Sequence, residues 1–302
     1  MEHNLLIVIL NYNCFSSTIK CVKSIKASNK NLLDTDIVIV DNCSTDKSYK
    51  KLKDFFNMKD NITVVKTKRN GGYSYGNNYG IRYMLNRGNK YKFFSIVNPD
   101  VVFQNANFEY QMNVLSGSNE YAAIGSLIYK NNNVDLNNQA WVIPSIYSFC
   151  FRTFLLIKNK NVPQHDFKLY KDNIVEAGII PGSFFIIKAN IFQKIGLFDE
   201  NIFMYNEETV LSIKLANINM KVLLDLAHTY NHNHKISPRK IVWENYKYNY
   251  SHILKMYDYF YESRKYVCKK YYRSRSHLLD LIIICNKILL YLKHIIAIVR
   301  IS

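Results

Sequence analysis

Four short apolar runs constrain this chain most: Leu5–Leu10 (LLIVIL), Ile37–Val40, Ile62–Val65 and Phe93–Val97. Runs without polar alternation belong to strands covered on both faces, as in parallel sheets. Helix-period stretches separate them. The first has Ser16 or Ser17 as its expected N-cap and Ile19, Val22 and Ile25 on one face; the second ends near Phe56; the third covers about 77–85. This order predicts an α/β fold, with a mostly parallel sheet between helices. At 302 residues and 48% apolar content the chain can bury a large core, which excludes a disordered tail.

In such sheets ligands bind beyond the carboxyl ends of the strands. Polar residues gather at those ends: Asn11 and Asn13; Asp41, Asn42 and Ser44 through Asp46; Asn70 to Asn78; and Asp100. Each loop alone has ordinary turn composition, but four at one edge point to a binding site. Asp41 closes a buried strand, where a carboxylate can accept from a base N–H or a ribose hydroxyl. Asp100 follows Pro99, and a lone carboxylate beside a diphosphate suits Mg²⁺ or Mn²⁺. Gly71 and Gly72 let backbone approach a ligand closely. The P-loop, dinucleotide, nucleophile-elbow and HExxH patterns are all missing from the sequence, which disfavours NTP hydrolysis, hydride transfer, ester hydrolysis and zinc proteolysis.

The second half is less regular over 129–175, including an aromatic stretch from Trp141 to Phe154 that reads as core. Pattern returns with Pro181-Gly182-Ser183, a strand at Phe184–Ile187, a helix near Glu207–Ala216 and a strand at Val222–Leu224. The expected division is 1–235 (1–104 nucleotide-binding, 105–235 acceptor-side) and a basic, Tyr-rich helical region, 236–302.

The net charge is +17, and residues 231–302 carry 14 Lys and Arg against 4 Asp and Glu. That bias calls for an anionic partner. In His277–Ser302 the polar residues Asp280, Asn286, Lys287, Lys293, His294 and Arg300 recur every seven positions, forming a narrow stripe on an otherwise apolar helix. An interfacial helix with its charges in water is the preferred placement; a helix docked on its own domain or on a dimer partner, and a spanning helix, are the alternatives. Six scattered cysteines read as reduced thiols, and the first apolar run is too short for a signal peptide. The expected location is cytoplasmic, peripheral on the inner face of the plasma membrane.

Six motifs occur in an order that resembles family 2 glycosyltransferases, closest to the bacterial rhamnosyltransferase-like branch. They are VILNYN (Val8–Asn13), VDNCSTD (Val40–Asp46), NGGYSYGNNYGI (Asn70–Ile81), VNPDVV (Val97–Val102), GSFFIIK (Gly182–Lys188) and FDENIFMYNEE (Phe198–Glu208). The resemblance covers about 4–240, and more weakly YESRKY (Tyr261–Tyr266). It implies a GT-A fold (Rossmann-like, with a helical C-terminal extension here) and inverting, metal-assisted transfer from a nucleotide-sugar, best dTDP-L-rhamnose or otherwise a UDP-hexose. By that resemblance Asp41 contacts the nucleobase and Asn11 and Asn13 line its pocket. Asn98 and Asp100 take the DxD-type position, with Asn98 replacing the first acid. Asn70 and Asn77 fall at the donor loop. Glu207-Glu208 takes the place of the Glu-Asp pair whose second acid is the general base, so Glu208 is the candidate and Glu207 its reserve. His232 matches the metal-contacting histidine, with His234 as the alternative; a lone histidine is also readily structural. Val210 and Lys214 depart from the family's Asp and Arg.

The implied acceptor is a glycan or lipid-linked glycan of a bacterial surface-polysaccharide precursor. An anionic membrane rather than nucleic acid is the expected surface partner, and a homodimer is left open. Rival readings are a catalytically degenerate membrane- or nucleic-acid-binding protein on the same fold, and a nucleotidyltransferase, whose Gly-rich, Lys-containing signature near strand one is missing.

Overall fold

The computed structural model describes residues 2–29, 34–57, 61–130, 133–135, 138–155, 163–232, 246–274 and 277–301. His234 and the 235/236 boundary lie outside these. Two compact units emerge: 1–143 with 163–200 and 207–233, and 144–162 with 201–206 and 234–302.

In the first unit, β1 (Glu2–Asn11) lies between β2 (Thr35–Asp41) and β4 (Lys90–Val97), and β3 (Ile62–Lys66) flanks β2, all parallel. Helices α1 (Phe15–Ser28), α2 (Ser48–Phe55) and α3 (Gly72–Leu85) connect them. The unbroken apolar character of β1 has a direct cause: Leu5 through Ile9 are all fully buried. Leu5, Ile7 and Ile9 join the core layer of Val22, Ile25 and Leu52. Leu6 and Val8 join the opposite layer, with Ile81 and Met84 of α3. Burying each such side chain contributes about 1.5–3 kcal/mol.

Beyond β4 the sheet turns mixed. Its described order is β3-β2-β1-β4-β10-β6-β11-β9-β8, where β6 is Tyr121–Lys130, β8 Lys168–Lys171, β9 Ile174–Ala177, β10 Phe184–Lys188 and β11 Lys221–His232. Strand β5 (Val101–Asn105) pairs with the end of β11, and β7 (Asn133–Val134) with β6. Helices α4 (Phe108–Ser116), α6 (Ala189–Lys194) and α7 (Glu207–Ala216) belong to this half.

The structure corrects several local expectations. Neither Ser16 nor Ser17 caps α1. The helix begins at Phe15, after Cys14, because Asn11 Oδ1 accepts from Thr18 Oγ1 at 2.8 Å and draws the first turn onto the end of β1. Helix α3 starts at Gly72, about five residues before its apolar periodicity. There Gly72 has φ +86°, and Gly76 and Gly80 face the sheet without side chains. The irregular 129–175 region holds the short strands β7, β8 and β9.

The second unit contains α5 (Ile146–Phe151), α8 (Tyr250–Lys270) and α9 (His277–Ile301). Arg264 is buried, donates to Phe149 O at 2.6 Å and stacks on the Phe149 ring. Ser263 donates to Tyr205 O at 2.6 Å and accepts from Asn206 Nδ2 at 2.8 Å. These bonds hold Tyr205 and Asn206, both in the left-handed region.

A Cβ at Gly80 would come within 2.6 Å of Val40 Cγ2 and 3.1 Å of Val8 Cγ1. Gly80→Ala is therefore expected to destabilise the protein by about 1–3 kcal/mol through overpacking, read as a lower urea midpoint at unchanged slope.

Candidate functional site

The carboxyl ends of β1 and β2 meet in a buried polar cluster. Asn11 Nδ2 donates to Asp41 Oδ2 at 2.8 Å and to Ser44 Oγ at 3.2 Å, and the Ser44 N–H donates to Asp41 Oδ1 at 3.0 Å. Asp41 is fully buried. Each of its oxygens keeps a lone pair beyond these bonds. Asn13, at φ +54°, crosses to the same loop: its N–H donates to Ser44 Oγ, and its Oδ1 accepts from the N–H groups of Thr45 and Asp46. Asn is among the few residues that tolerate this left-handed geometry.

The next loop is laced to this one by amides. Asn42 Nδ2 donates to Asn70 Oδ1 at 2.9 Å and to Gly72 O at 3.1 Å, and Asn70 Oδ1 also accepts the Gly72 N–H. A Cβ at Gly71 would meet the Tyr75 ring at 2.3 Å, so the close approach made there is to the chain's own helix. Asn77 is not brought to this edge: it is buried in α3, where its Nδ2 donates to Tyr73 O.

Asp100 and His232 do come together. β5 follows Asp100 and pairs with β11 in a register that puts His232 opposite Val101. Their Oδ1 and Nε2 atoms are 3.2 Å apart. A carboxylate and an imidazole this close could serve as adjacent ligands of one divalent ion, with the other ligands supplied by phosphate and water. No cluster of three or more His, Cys, Asp or Glu occurs among the described residues. Asn98 contributes backbone, its N–H donating to Ser183 O at 2.8 Å.

Glu208, at the start of α7, accepts from the Gly182 N–H at 3.4 Å. Burial pushes its carboxyl above the ordinary carboxylate range, partly offset by hydrogen bonds from its own N–H and that of Gly182. Neighbouring Glu207 is more deeply buried. Val210 lies in the core, and Lys214 donates to Leu197 O at 2.5 Å, so both family departures are structural here.

Two further residues bear on the Glu208 setting, neither of them given a role by the sequence: Gly182, which contacts Glu208, and Tyr73, which contacts Gly182. Tyr73 Oη donates to Gly182 O at 2.6 Å. Burial, with Glu208 and Glu207 nearby, keeps that phenol protonated well above its usual range. Gly182 leaves room for the Glu208 carboxyl in this rotamer: a Cβ there would lie 2.9 Å from Glu208 Oε1. Next to it, Ser183 and Tyr230 hydroxyls share a buried 2.7 Å hydrogen bond. The sequence signals were a Tyr following the Gly71-Gly72 pair and a Gly ahead of a strand.

Gly182→Ala is expected to drive the Glu208 carboxyl onto another rotamer. In carbon-13 spectra of the carboxyl groups, the resonance missing from Glu208→Gln should move while the others stay in place.

The glycosyl transferase family 2 model matches residues 6–196. Low-salt glycan biosynthesis hexosyltransferase Agl10 of Haloferax volcanii is 26% identical over 187 residues, 62% of this chain and 55% of that protein. The match thus spans little more than half of that curated relative. GalNAc-T7 with UDP, GalNAc and Mn²⁺ is similar at TM-score 0.61 and 15% identity, over 89% of this chain and 57% of that one. Mannosyltransferase PcManGT from Pyrobaculum calidifontis, in complex with GDP-Man and Mn²⁺, is similar at TM-score 0.55 and 11% identity, over 85% and 64%. At these identities the likeness to solved structures is one of fold, of the GT-A kind. With the family model spanning most of the chain and running through its nucleotide-side motifs, this protein belongs to glycosyltransferase family 2.

Proposed function

We propose that this chain transfers a sugar, with inversion, from a nucleotide-diphosphate donor to a hydroxyl of a bacterial surface-glycan precursor. dTDP-L-rhamnose is the first candidate donor and a UDP-hexose the second. The observation that carries the reading is that Glu208 and Asn98, which precedes the Asp100–His232 pair, both bond to the segment Gly182–Ser183, on a sheet whose first two strands end in the Asn11–Asp41–Ser44 cluster. A hexosyltransferase relative, and neighbours whose structures contain UDP or GDP-Man with Mn²⁺, support it.

In this reading Asp41, Asn11, Asn13, Asn42 and Ser44 take the nucleoside. Asn70, Gly71 and Gly72 border the donor, Asn98 shapes the turn, and Asn77 acts from within α3. Asp100 and His232 would hold a Mg²⁺ or Mn²⁺ ion, which neutralises charge on the departing diphosphate. The Glu208 carboxylate accepts the proton of the acceptor hydroxyl as that oxygen bonds to the anomeric carbon. The bond from that carbon to the diphosphate breaks on the opposite face, and the nucleoside diphosphate leaves with its electron pair. A base whose pKa is raised towards the working pH is well matched to this task. Glu207 is the reserve base. The enzyme would work at the cytoplasmic face of the plasma membrane on a lipid-linked acceptor.

Purified protein should release nucleoside diphosphate from one of dTDP-rhamnose, UDP-galactose, UDP-glucose, UDP-galactofuranose or a UDP-N-acetyl sugar, and lose turnover in EDTA. Glu208→Gln should cut kcat by about 10²–10⁴-fold, the usual contribution of a general base, while keeping the donor-induced rise in Tm. If no donor turns over and none shifts Tm, the transferase reading fails.

The acid limb of kcat/KM should lie above the ordinary carboxylate range, because Glu208 must be ionised to act. The same raised pKa means that folding favours its protonated form. The penalty is small below the unfolded-state pKa and full above the folded one, so Glu208→Gln should raise Tm at neutral pH and lose that advantage as the pH falls.

A further inference from the structure

Helix α9 rests on α8 beside its polar stripe, of which Asn286 is buried while Asp280, Lys287 and Arg300 stay exposed at the margin of the contact. Asp280 pairs with Lys265 at 3.3 Å and Lys287 with Asp258 at 3.0 Å. The His294 ring stacks on Tyr250 with centroids 4.1 Å apart, and its Nδ1 is 2.6 Å from Tyr246 O. These contacts pair 265 with 280, 258 with 287 and 250 with 294, so the two helices run antiparallel along most of their length. Asn286 is fully buried: it donates to Thr153 O and accepts the Leu155 N–H. Leu279, Ile282, Ile283, Leu290 and Ala297 share its buried face.

The opposite face is exposed and apolar throughout. Leu281 is 61% exposed, Ile284 56%, Ile288 55%, Tyr291 56% and Val299 70%, with Leu292, Ile295 and Ile298 between them. A continuous apolar face on this scale marks an interaction surface.

From this face we infer a docking surface for an anionic lipid bilayer, with α9 lying in the interfacial plane. This deepens the peripheral placement proposed above and rests on it. Three observations favour lipid. A coiled-coil partner covers a narrow seam and is registered by charges on both flanks. Here one flank is Cys285, Leu292 and Val299, and the charges of the other, Asp280 and Lys287, are already engaged by α8. Spanning is disfavoured because α8, bound along α9, would carry Lys255, Asp258, Glu262 and Lys265 into hydrocarbon. The charge is also complementary: exposed Lys269, Lys270 and Arg273 cluster where α8 turns towards α9, and no acid occurs between 262 and 280.

The test is flotation of the full chain with phosphatidylcholine vesicles, with or without phosphatidylglycerol. The wild type should float with the mixed vesicles and much less with phosphatidylcholine alone. The doubly substituted Ile284→Asp/Ile288→Asp protein should partition at least about tenfold less, at unchanged Tm. Lys269→Glu/Lys270→Glu should lose the preference for anionic vesicles. A second readout leaves the apolar face intact: the added fluorescence of Tyr291→Trp should be quenched by brominated acyl chains. Equal flotation of the wild type and the Ile284/Ile288 variant, failure of the wild type to float, or no quenching at Trp in place of Tyr291 would each overturn the inference. So would a lipid-free dimer that the double substitution dissociates, because a second copy would then cover the face. Donor-induced Tm shifts measured without vesicles report on the transferase reading separately, so either proposal can fail alone.

Discussion

The antiparallel pairing of β10 with β4 is the junction on which the candidate site depends. Phe184 stands opposite Val97, so the residues just outside the ladder, Ser183 and Asn98, meet through a 2.8 Å backbone hydrogen bond. One residue earlier, Gly182 receives Tyr73 Oη on its carbonyl and offers its N–H to Glu208. Groups from α3, β4 and α7, in separate stretches of the sequence, are therefore gathered at one strand end. A ladder of buried strands deforms far less than a loop, so a site hung on it keeps its spacing without ligand.

The polar side of the site is held by the same logic with side chains. Burying a carboxylate such as Asp41 is costly unless its oxygens find donors. Asn11 and the Ser44 N–H supply them, and Asn11 in turn engages Thr18 at the entrance to α1. Asn42, Asn70 and Gly72 repeat the pattern one loop along. Amides suit this role because each both donates and accepts. The site thus uses its carboxylates in different settings: Asp41 inside a network of donors, Asp100 beside an imidazole, and Glu208 in a desolvated position that raises its pKa.

In the second unit α9 has more apolar surface than one neighbour covers: it buries Leu279, Ile282, Ile283 and Leu290 around Asn286, pairs with α8 at its polar margin, and leaves the rest of its apolar arc exposed. The YESRKY segment belongs to the supporting structure: Tyr261, Ser263 and Arg264 are buried, and the latter two bond to Tyr205 and Phe149.

Much of this protein could be read from the sequence by itself. Runs such as LLIVIL specify strands buried on both faces, their polar ends mark the edge where the candidate site lies, and motif order specifies the family, because these signals are local and periodic. The α9 stripe was equally legible as a pattern. What tertiary structure alone decided is what each pattern faces. Periodicity defines two faces of a helix but not which one meets a neighbour, and only the pairs with Lys265, Asp258 and Tyr250 settle that for α9. Likewise Tyr73 and Gly182 lie within motifs, but the motifs do not say what these two residues touch. Their effect on Glu208 exists only because a strand register brings residues 73, 182 and 208 within hydrogen-bonding distance, and register is a property of the assembled sheet.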